Sequence, residues 1–329
     1  MKFAVHPDVD WTAVRDVLLA SRKVHVVAHV SPDCDTIGSQ IALNALLRAL
    51  GVDVVMHNVD AVPRICRYVP TSELITSGKD FSHLSDCDTI VSVDAGSFSR
   101  LGLPKSYVQG KKMVNIDHHA SNTHYADINK VDARYCATGA MIYDLIQACD
   151  VSLDATMASA IYAAVVTDTS SFRNITTTAD THRMVAELLD AGADVAQASQ
   201  EIYQNFRKER FDLLRDALDS LTLEHDGRSA WIAVPCHLYE ASGMTGEDSE
   251  GFIDYARSIA GVRIAVFLRE ESPDCWKISV RGVPPYDVGR LASALGGGGH
   301  QYAAGCTMHG SFQQVRQQVY DAVDACLQS

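Results

Sequence analysis

Four apolar runs in this sequence stop on side chains that are costly to bury. Residues 113–116 run into Asp117, His118 and His119, and residues 23–28 run into His29, Asp33 and Asp35. Residues 89–93 stop on Asp94, and residues 160–167 stop on Asp168. Carboxylates and imidazoles at such places lose water and need partners. In an open parallel α/β sheet, functional groups collect at the carboxyl ends of the strands. These distant residues are therefore expected to converge on one crevice. Two carboxylates about 4 Å apart repel by roughly 4 kcal/mol at an effective dielectric of 20. Several such pairs would exceed the ~5–15 kcal/mol that holds an ordinary domain together. Cations must sit between them.

The elements that position these groups follow from pattern. Residues 10–21 read as a capped amphipathic helix with Val14, Val17 and Leu18 on one face. A strand at 24–28, a helix at 37–50 closed by Gly51 and a strand at 52–56 have the spacing of a βαβ unit. The irregular stretch 58–70 carries Arg64, Arg67 and Tyr68, which could lean over the crevice. Thr138 is expected to cap a helix over 139–149, and Asp154 to start another that reaches Val165. The polar turn 168–174 offers Arg173 as a phosphate contact, and a helix follows near 179–191. Residues 195–221 read as a helical connector, with Phe211, Leu214, Leu218 and Leu221 on one face. Beyond it, strand-like runs at 229–234, 262–268, 276–280 and 305–308 mix with helical segments near 250–260, 287–295 and 312–327. The expected fold class is α/β: a parallel-sheet domain over 1–192, a connector over 193–221, and a smaller α+β domain with a mixed sheet over 222–329.

The second domain concentrates its chemistry in two places. Arg281 ends a strand and offers a permanently charged, bidentate fork for an anion. Gly296, Gly297, Gly298 and Gly299 precede His300, and consecutive glycines can turn backbone N–H groups toward an anion as a nest.

Composition narrows the partners. Lys plus Arg total 28 against 41 Asp plus Glu, a net charge of −13. That is a poor match for long duplex nucleic acid, whose binding rests on many cationic contacts to phosphate. A short anionic substrate held by metal and a few arginines remains compatible. Nine cysteines without a C-x-x-C pair argue for a reducing compartment, against a disulfide framework and against structural zinc. The N-terminus lacks the pattern of a signal peptide and no apolar run approaches ~18 residues, so a cytoplasmic protein with no membrane partner is expected.

His29-x-x-Pro32-Asp33-x-Asp35, Asp94, Asp117-His118-His119 and Asp168 resemble the four motifs of the DHH phosphoesterase superfamily. Arg281 and the Gly296–His300 stretch resemble the nucleotide-binding motif of its DHHA1 domain, so the resemblance spans nearly the whole chain. It is strongest to the stand-alone oligoribonuclease/3′-phosphoadenosine-5′-phosphate phosphatase group. The resemblance implies that His29, Asp33 and Asp94 hold one divalent ion, and that Asp35, Asp94, His118 and Asp168 hold a second, with Asp94 bridging. Oxygen-rich ligands with a few imidazoles suit Mn²⁺, with Mg²⁺ or Co²⁺ as alternatives. Two such ions acidify a shared water, whose hydroxide would attack phosphorus in line. His119 would contact the phosphoryl oxygen or protonate the leaving group, and Asp117 would orient a ligand histidine. Arg281, Gly297, Gly298, Gly299 and His300, with Arg173 and Tyr68, would hold the substrate. The implied substrates are short single-stranded oligonucleotides or bisphosphorylated nucleotides, and relatives are often homodimers. Rival readings are a phosphodiesterase for linear or cyclic di-AMP and, in a different class, a catalytically silent nucleotide sensor. Cys34 stands where the family more often has a small residue, and an inert side chain is expected there.

Overall fold

The computed structural model describes residues 3–328 and divides into two compact units, Met1–Asn205 and Phe206–Ser329. The first unit runs α1 (Thr12–Ala20), β1 (Lys23–Val27), α2 (Cys34–Ala49), β2 (Asp53–Asn58), β3 (Thr76–Ser77), β4 (Thr89–Val93) and α3 (Lys105–Val108). It continues with β5 (Lys112–Asp117), β6 (Ile128–Val131), α4 (Thr138–Ala148), α5 (Ala155–Asp168), α6 (Ala179–Asp190) and α7 (Val195–Tyr203). Its six strands lie in the order β3-β2-β1-β4-β5-β6, every pairing parallel. The chain winds outward from β1 in one direction and from β4 in the other. The boundary between β1 and β4 is therefore the switch point at which such sheets open a crevice.

Both faces of this sheet are covered, which is why its strands read as continuous apolar runs. Val24, Val26, Val91, Val93, Val114 and Ile116 point into a core shared with α2, α4 and α5. Val27, Ile90 and Met113 point the other way, onto Phe81, Leu84, Leu101 and Leu103. Helix α2 is buried nearly all round, Ile37, Ile41, Leu43, Leu46 and Leu47 fully so, and Asp35, Thr36, Ser39, Gln40 and Asn44 with them. It has almost no solvated face because the sheet covers one side and α5 the other.

The α2–α5 contact is close because α2 carries Gly38. A Cβ built there would lie 2.3 Å from the Ala160 carbonyl oxygen, inside the backbone of α5. Alanine would gain about 1 kcal/mol of helix propensity, but overpacking against backbone costs ~1–3 kcal/mol or more. Gly38→Ala is accordingly expected to destabilise the chain by about 2 kcal/mol, read as a lower denaturation midpoint at unchanged m-value. An unchanged midpoint would mean that the two helices have slack.

The second unit runs α8 (Lys208–Asp219), β7 (Thr222–Glu224), β8 (Ser229–Val234), α9 (Cys236–Ser242), α10 (Phe252–Arg257), β9 (Ile264–Ser272) and β10 (Cys275–Gly282). It ends with α11 (Val288–Ala294), β11 (Gly298–His300), β12 (Ala303–His309) and α12 (Phe312–Gln328). Its sheet has the order β11-β12-β10-β9-β8-β7, with β8–β9 parallel and the other pairings antiparallel. Strand β10 alternates strictly: Trp276, Ile278 and Val280 are buried, while Lys277, Ser279 and Arg281 share the opposite face. Among the described residues, no helix is long and apolar enough to cross a membrane.

Two expectations are corrected here. The helix expected from Asp154 forms and extends past Val165, so Asp168 stands at a helix end and not at the carboxyl end of a strand. The run 160–167 lies inside α5, and Asp168 is the last residue of that helix. Cys34 is not an inert free thiol either, because it forms a disulfide with Cys66. Closing a loop of this size removes ~3–4 kcal/mol of unfolded-state entropy on a chain-entropy model.

Candidate metal centre

Side-chain alternation along β5 decides where its terminal residues go. Val114 and Ile116 face the α2 side, so His118, two positions on, continues on that face and Asp117 takes the other. His118 Nε2 accordingly lies 3.6 Å from carboxylate oxygens of Asp35, Asp94 and Asp168. Asp117 lies on the far side, where Asn122 Nδ2 donates to its Oδ2 at 2.5 Å.

Asp94 follows Val93, and continued alternation would send it away from α2. A left-handed backbone, φ 58°, turns it back. That conformation costs an L-residue about 1–2 kcal/mol, and it places the carboxylate between two groups. Asp94 Oδ2 lies 3.7 Å from His29 Nε2, and Asp94 Oδ1 lies 3.6 Å from His118 Nε2. Asp33 adds an oxygen 4.0 Å from His29. Two sets of donors result, His29–Asp33–Asp94 and Asp35–His118–Asp168, and the ligand atoms within each lie within 4.8 Å of one another. Asp94 offers one oxygen to each set.

Neighbouring side chains hold these donors in place. Helix α4 begins at Asp35: the N–H groups of Thr138 and Gly139 donate to its two oxygens at 2.7 and 2.9 Å. The Thr138 hydroxyl donates to Asp94 Oδ1 at 2.9 Å. The Thr36 hydroxyl lies 2.8 Å from Asp94 Oδ2 and 3.0 Å from Asp33 Oδ1, and donates to one at a time. His29 Nδ1 lies 2.8 Å from the Val30 carbonyl, and His118 Nδ1 lies 3.2 Å from the Tyr135 carbonyl. Donation from His118 Nδ1 to its carbonyl turns the His118 Nε2 lone pair toward the carboxylates, and the Val30 carbonyl orients the His29 ring with Nε2 toward Asp94.

The electrostatics are those of a site built around positive charge. Burial, reinforced by Asp94, Asp168 and Asp33, pushes the Asp35 carboxyl well above its ordinary value. Burial, only partly offset by His118, pushes Asp168 up to about 6 although its side chain is 27% exposed. Burial also opposes ionisation of Asp94, but His29, His119 and His118 outweigh it and hold that carboxyl low. Burial would lower the pKa of His29 and His118, and the surrounding carboxylates raise both. Donors around one octahedral ion at ~2.1 Å stand ~3.0 Å apart when adjacent and ~4.2 Å when opposite. The His–carboxylate separations of 3.6–4.0 Å are of that order. Carboxylate and imidazole donors without a thiolate fit a hard or borderline divalent cation.

In the second unit, Arg281 sits on β10 opposite Ala265 and Ala303, small neighbours that leave its long side chain room. The glycine run differs from the expected nest. Gly298–His300 form strand β11, paired antiparallel with β12, and the Gly297 N–H donates to the Ala292 carbonyl at 2.8 Å. Glycine is required there for close approach: a Cβ on Gly297 would lie 2.1 Å from the Gly305 carbonyl oxygen.

Residues 23–166 match the DHH family N-terminal domain, and residues 233–329 match the DHHA1 domain. A Thermus thermophilus protein named bifunctional oligoribonuclease and PAP phosphatase is 33% identical over 91% of this chain and 89% of its own length. This chain is a DHH-family phosphoesterase. The Bacillus subtilis protein of the same name is 26% identical over 85% of this chain and 88% of its own. Among solved structures, an exopolyphosphatase-related protein from Bacteroides fragilis matches 97% of this chain and 98% of its own with a TM-score of 0.87 at 24% identity. The exonuclease RecJ bound to manganese covers 98% of this chain and 96% of its own with a TM-score of 0.56 at 14% identity.

Several placements in the phosphoesterase differ from those expected. Asp117 does not orient the ligand-like His118; it accepts from His119 Nδ1 at 2.7 Å. Thr138 does not cap α4 with its side chain, since its hydroxyl goes to Asp94. The Tyr68 hydroxyl is buried near Tyr162 and Tyr203, and burial raises its pKa. Arg64 and Arg67 donate to the carbonyls of Asn205 and Val62. Arg173 is exposed and donates to the Ser170 carbonyl at 2.7 Å, five residues past Asp168. Motif reasoning missed Thr36, Thr138 and Arg100. Arg100 lies in the 3-10 turn Phe98–Leu101, its carbonyl accepts from the Val30 N–H at 2.7 Å, and its Nη2 lies 3.1 Å from His29 Nδ1. No spacing rule marks such a residue, because the turn and not a periodic element brings it there.

Proposed function

We propose that this phosphoesterase hydrolyses very short oligonucleotides to mononucleotides, and removes a phosphate from 3′-phosphoadenosine-5′-phosphate, using two divalent ions of which manganese is the preferred one. The observation that carries this reading is Asp94, whose two oxygens face two separate donor sets. The full-length likeness to proteins named oligoribonuclease and PAP phosphatase supports the substrate class. When bound, the ions supply an acidified water and charge neutralisation at phosphorus.

The chain's own residues do the rest. His29, Asp33 and Asp94 would hold one ion, and Asp35, Asp94, His118 and Asp168 the other, while the Thr36 and Thr138 hydroxyls fix the orientation of the Asp94 carboxylate. His119 donates its Nδ1–H to Asp117, which makes Nε2 the nitrogen that passes a proton to the departing oxygen. Arg100 and Arg173 add positive charge for phosphate oxygens. The second unit supplies Arg281 and His300 for the nucleotide, with Gly297, Gly298 and Gly299 shaping the backbone beside them.

The test is a substrate panel with Mn²⁺: a dinucleotide, 3′-phosphoadenosine-5′-phosphate, linear and cyclic di-AMP, and polyphosphate. Dinucleotide and bisphosphate turnover should lead, and a panel led by cyclic di-AMP or polyphosphate would overturn the assignment. Arg281→Ala should lower kcat/KM for the dinucleotide by about 10–100-fold, the cost of a lost charged hydrogen-bond pair. Cleavage of bis-p-nitrophenyl phosphate, which has no nucleotide to hold, should change less than about threefold. Equal losses on both would remove Arg281 from nucleotide binding.

A further inference from the structure

The Cys34–Cys66 disulfide spans a sequence separation of 32, and the other seven cysteines are free thiols. Cys34 is the first residue of α2, placed directly between Asp33 and Asp35. Asp33 belongs to one donor set and Asp35 to the other. The bond is thus attached to the short stretch of backbone that serves both. Its other end, Cys66, closes the 3-10 turn Arg64–Cys66.

Both cysteines are buried, at 2% and 0% exposure. A thiolate reductant attacks a disulfide sulfur along the S–S axis and needs access to it. Reduction therefore requires the start of α2 or the facing turn to open locally. Cations held one by Asp33 and the other by Asp35 pin that segment and suppress the opening. In the other direction, the closed bond limits the freedom of residues 33–35 before any cation arrives, which lowers the ordering cost of binding. These are two views of one coupling free energy, and thermodynamics makes it reciprocal.

We propose that Cys34 and Cys66 form a thiol–disulfide site linked to metal occupancy: the oxidised pair holds the acidic segment ready for cations, and bound cations protect the pair from reduction. This rests on reading the two donor sets as a metal centre. The exchange balances with a small disulfide of the glutathione class. One cysteine thiolate attacks the small disulfide and displaces one thiolate. The second cysteine thiolate then attacks the mixed disulfide at the protein sulfur and displaces the other. Two cysteine thiols lose two protons and two electrons, and the small disulfide becomes two thiols.

The experiment uses the full chain and needs no substitution. Protein is equilibrated with glutathione disulfide, then treated with dithiothreitol with and without Mn²⁺, quenched with acid at intervals, alkylated and mapped by peptide mass spectrometry. Saturating Mn²⁺ should slow loss of the Cys34–Cys66 peptide pair by about tenfold or more, within the usual range of coupling between sites. Reduced protein, freed of reductant without air, should bind Mn²⁺ about tenfold more weakly by electron paramagnetic resonance, as reciprocity requires. Cys66→Ser should reproduce the weaker binding, with circular dichroism confirming the fold. Equal Mn²⁺ affinity in both redox forms, with equal reduction rates, overturns the linkage and leaves the metal centre standing. Recovery of both cysteines as thiols after oxidation overturns it as well. Absence of Mn²⁺ binding in either form overturns the metal centre itself, and the linkage with it.

Discussion

Asp94→Asn is expected to reduce hydrolysis of a dinucleotide by about three to four orders of magnitude, since several kcal/mol of charge stabilisation is lost at both ions. The side chain keeps its shape, so Thr36 and Thr138 retain a partner for their hydroxyls. What disappears is the charge that faces His29 through one oxygen and His118 through the other. Asp33→Asn is the informative comparison. Asp33 has a side chain 61% exposed and belongs to one donor set alone. It should weaken one ion and leave the other, whereas Asp94→Asn should weaken both. Titration with Mn²⁺ followed by electron paramagnetic resonance counts the ions, and circular dichroism checks the fold. If Asp94→Asn still binds two ions tightly, Asp94 does not bridge.

The central part of this site was legible because each donor follows an apolar run that has to be a buried element. Strand β1 leads to His29, β4 to Asp94 and β5 to His118, and a parallel sheet brings those ends together. Asp168 reaches the same place by another route. The Asp154 cap marks the start of α5, but the run 160–167 is apolar on every side because that helix is buried, so periodicity does not show where the helix ends or which way Asp168 faces. The backbone of the glycine run 296–299 is not legible from composition either. Glycine serves equally for a left-handed nest and for tight backbone contact, and here Gly298–His300 pair with β12 as an edge strand. The role of Thr138 depended on a tertiary contact, the Asp94 carboxylate, which outweighs the local preference for capping. Pairing of Cys34 with Cys66 depends on how the 3-10 turn packs against the start of α2, and no local pattern encodes that. The short edge strands β3 and β6, of two and four residues, carry too little pattern to be read.

His119→Asn should separate substrates by their leaving groups. A nucleoside oxygen leaves as a strongly basic alkoxide and needs a proton, so its loss should cost about 10²–10⁴ in rate. A p-nitrophenolate leaves unaided, and bis-p-nitrophenyl phosphate cleavage should fall less than about tenfold if proton donation is the main role. The pH profile gives an independent readout. Burial would lower the His119 pKa, but Asp117 at 2.7 Å and Asp94 at 3.6 Å outweigh it and raise it above the ordinary imidazole value. A general acid must be protonated, so dinucleotide hydrolysis should decline as pH rises through that raised value. A cation on Asp94 neutralises much of its share, which leaves Asp117 as the anion that sustains the shift. Asp117→Asn should therefore move the alkaline limb to lower pH, while the aryl ester shows no such limb from this group. A limb that stays in place in Asp117→Asn, or His119→Asn losses equal on both substrates, would assign His119 to holding the phosphoryl group and not to protonating the oxygen that leaves.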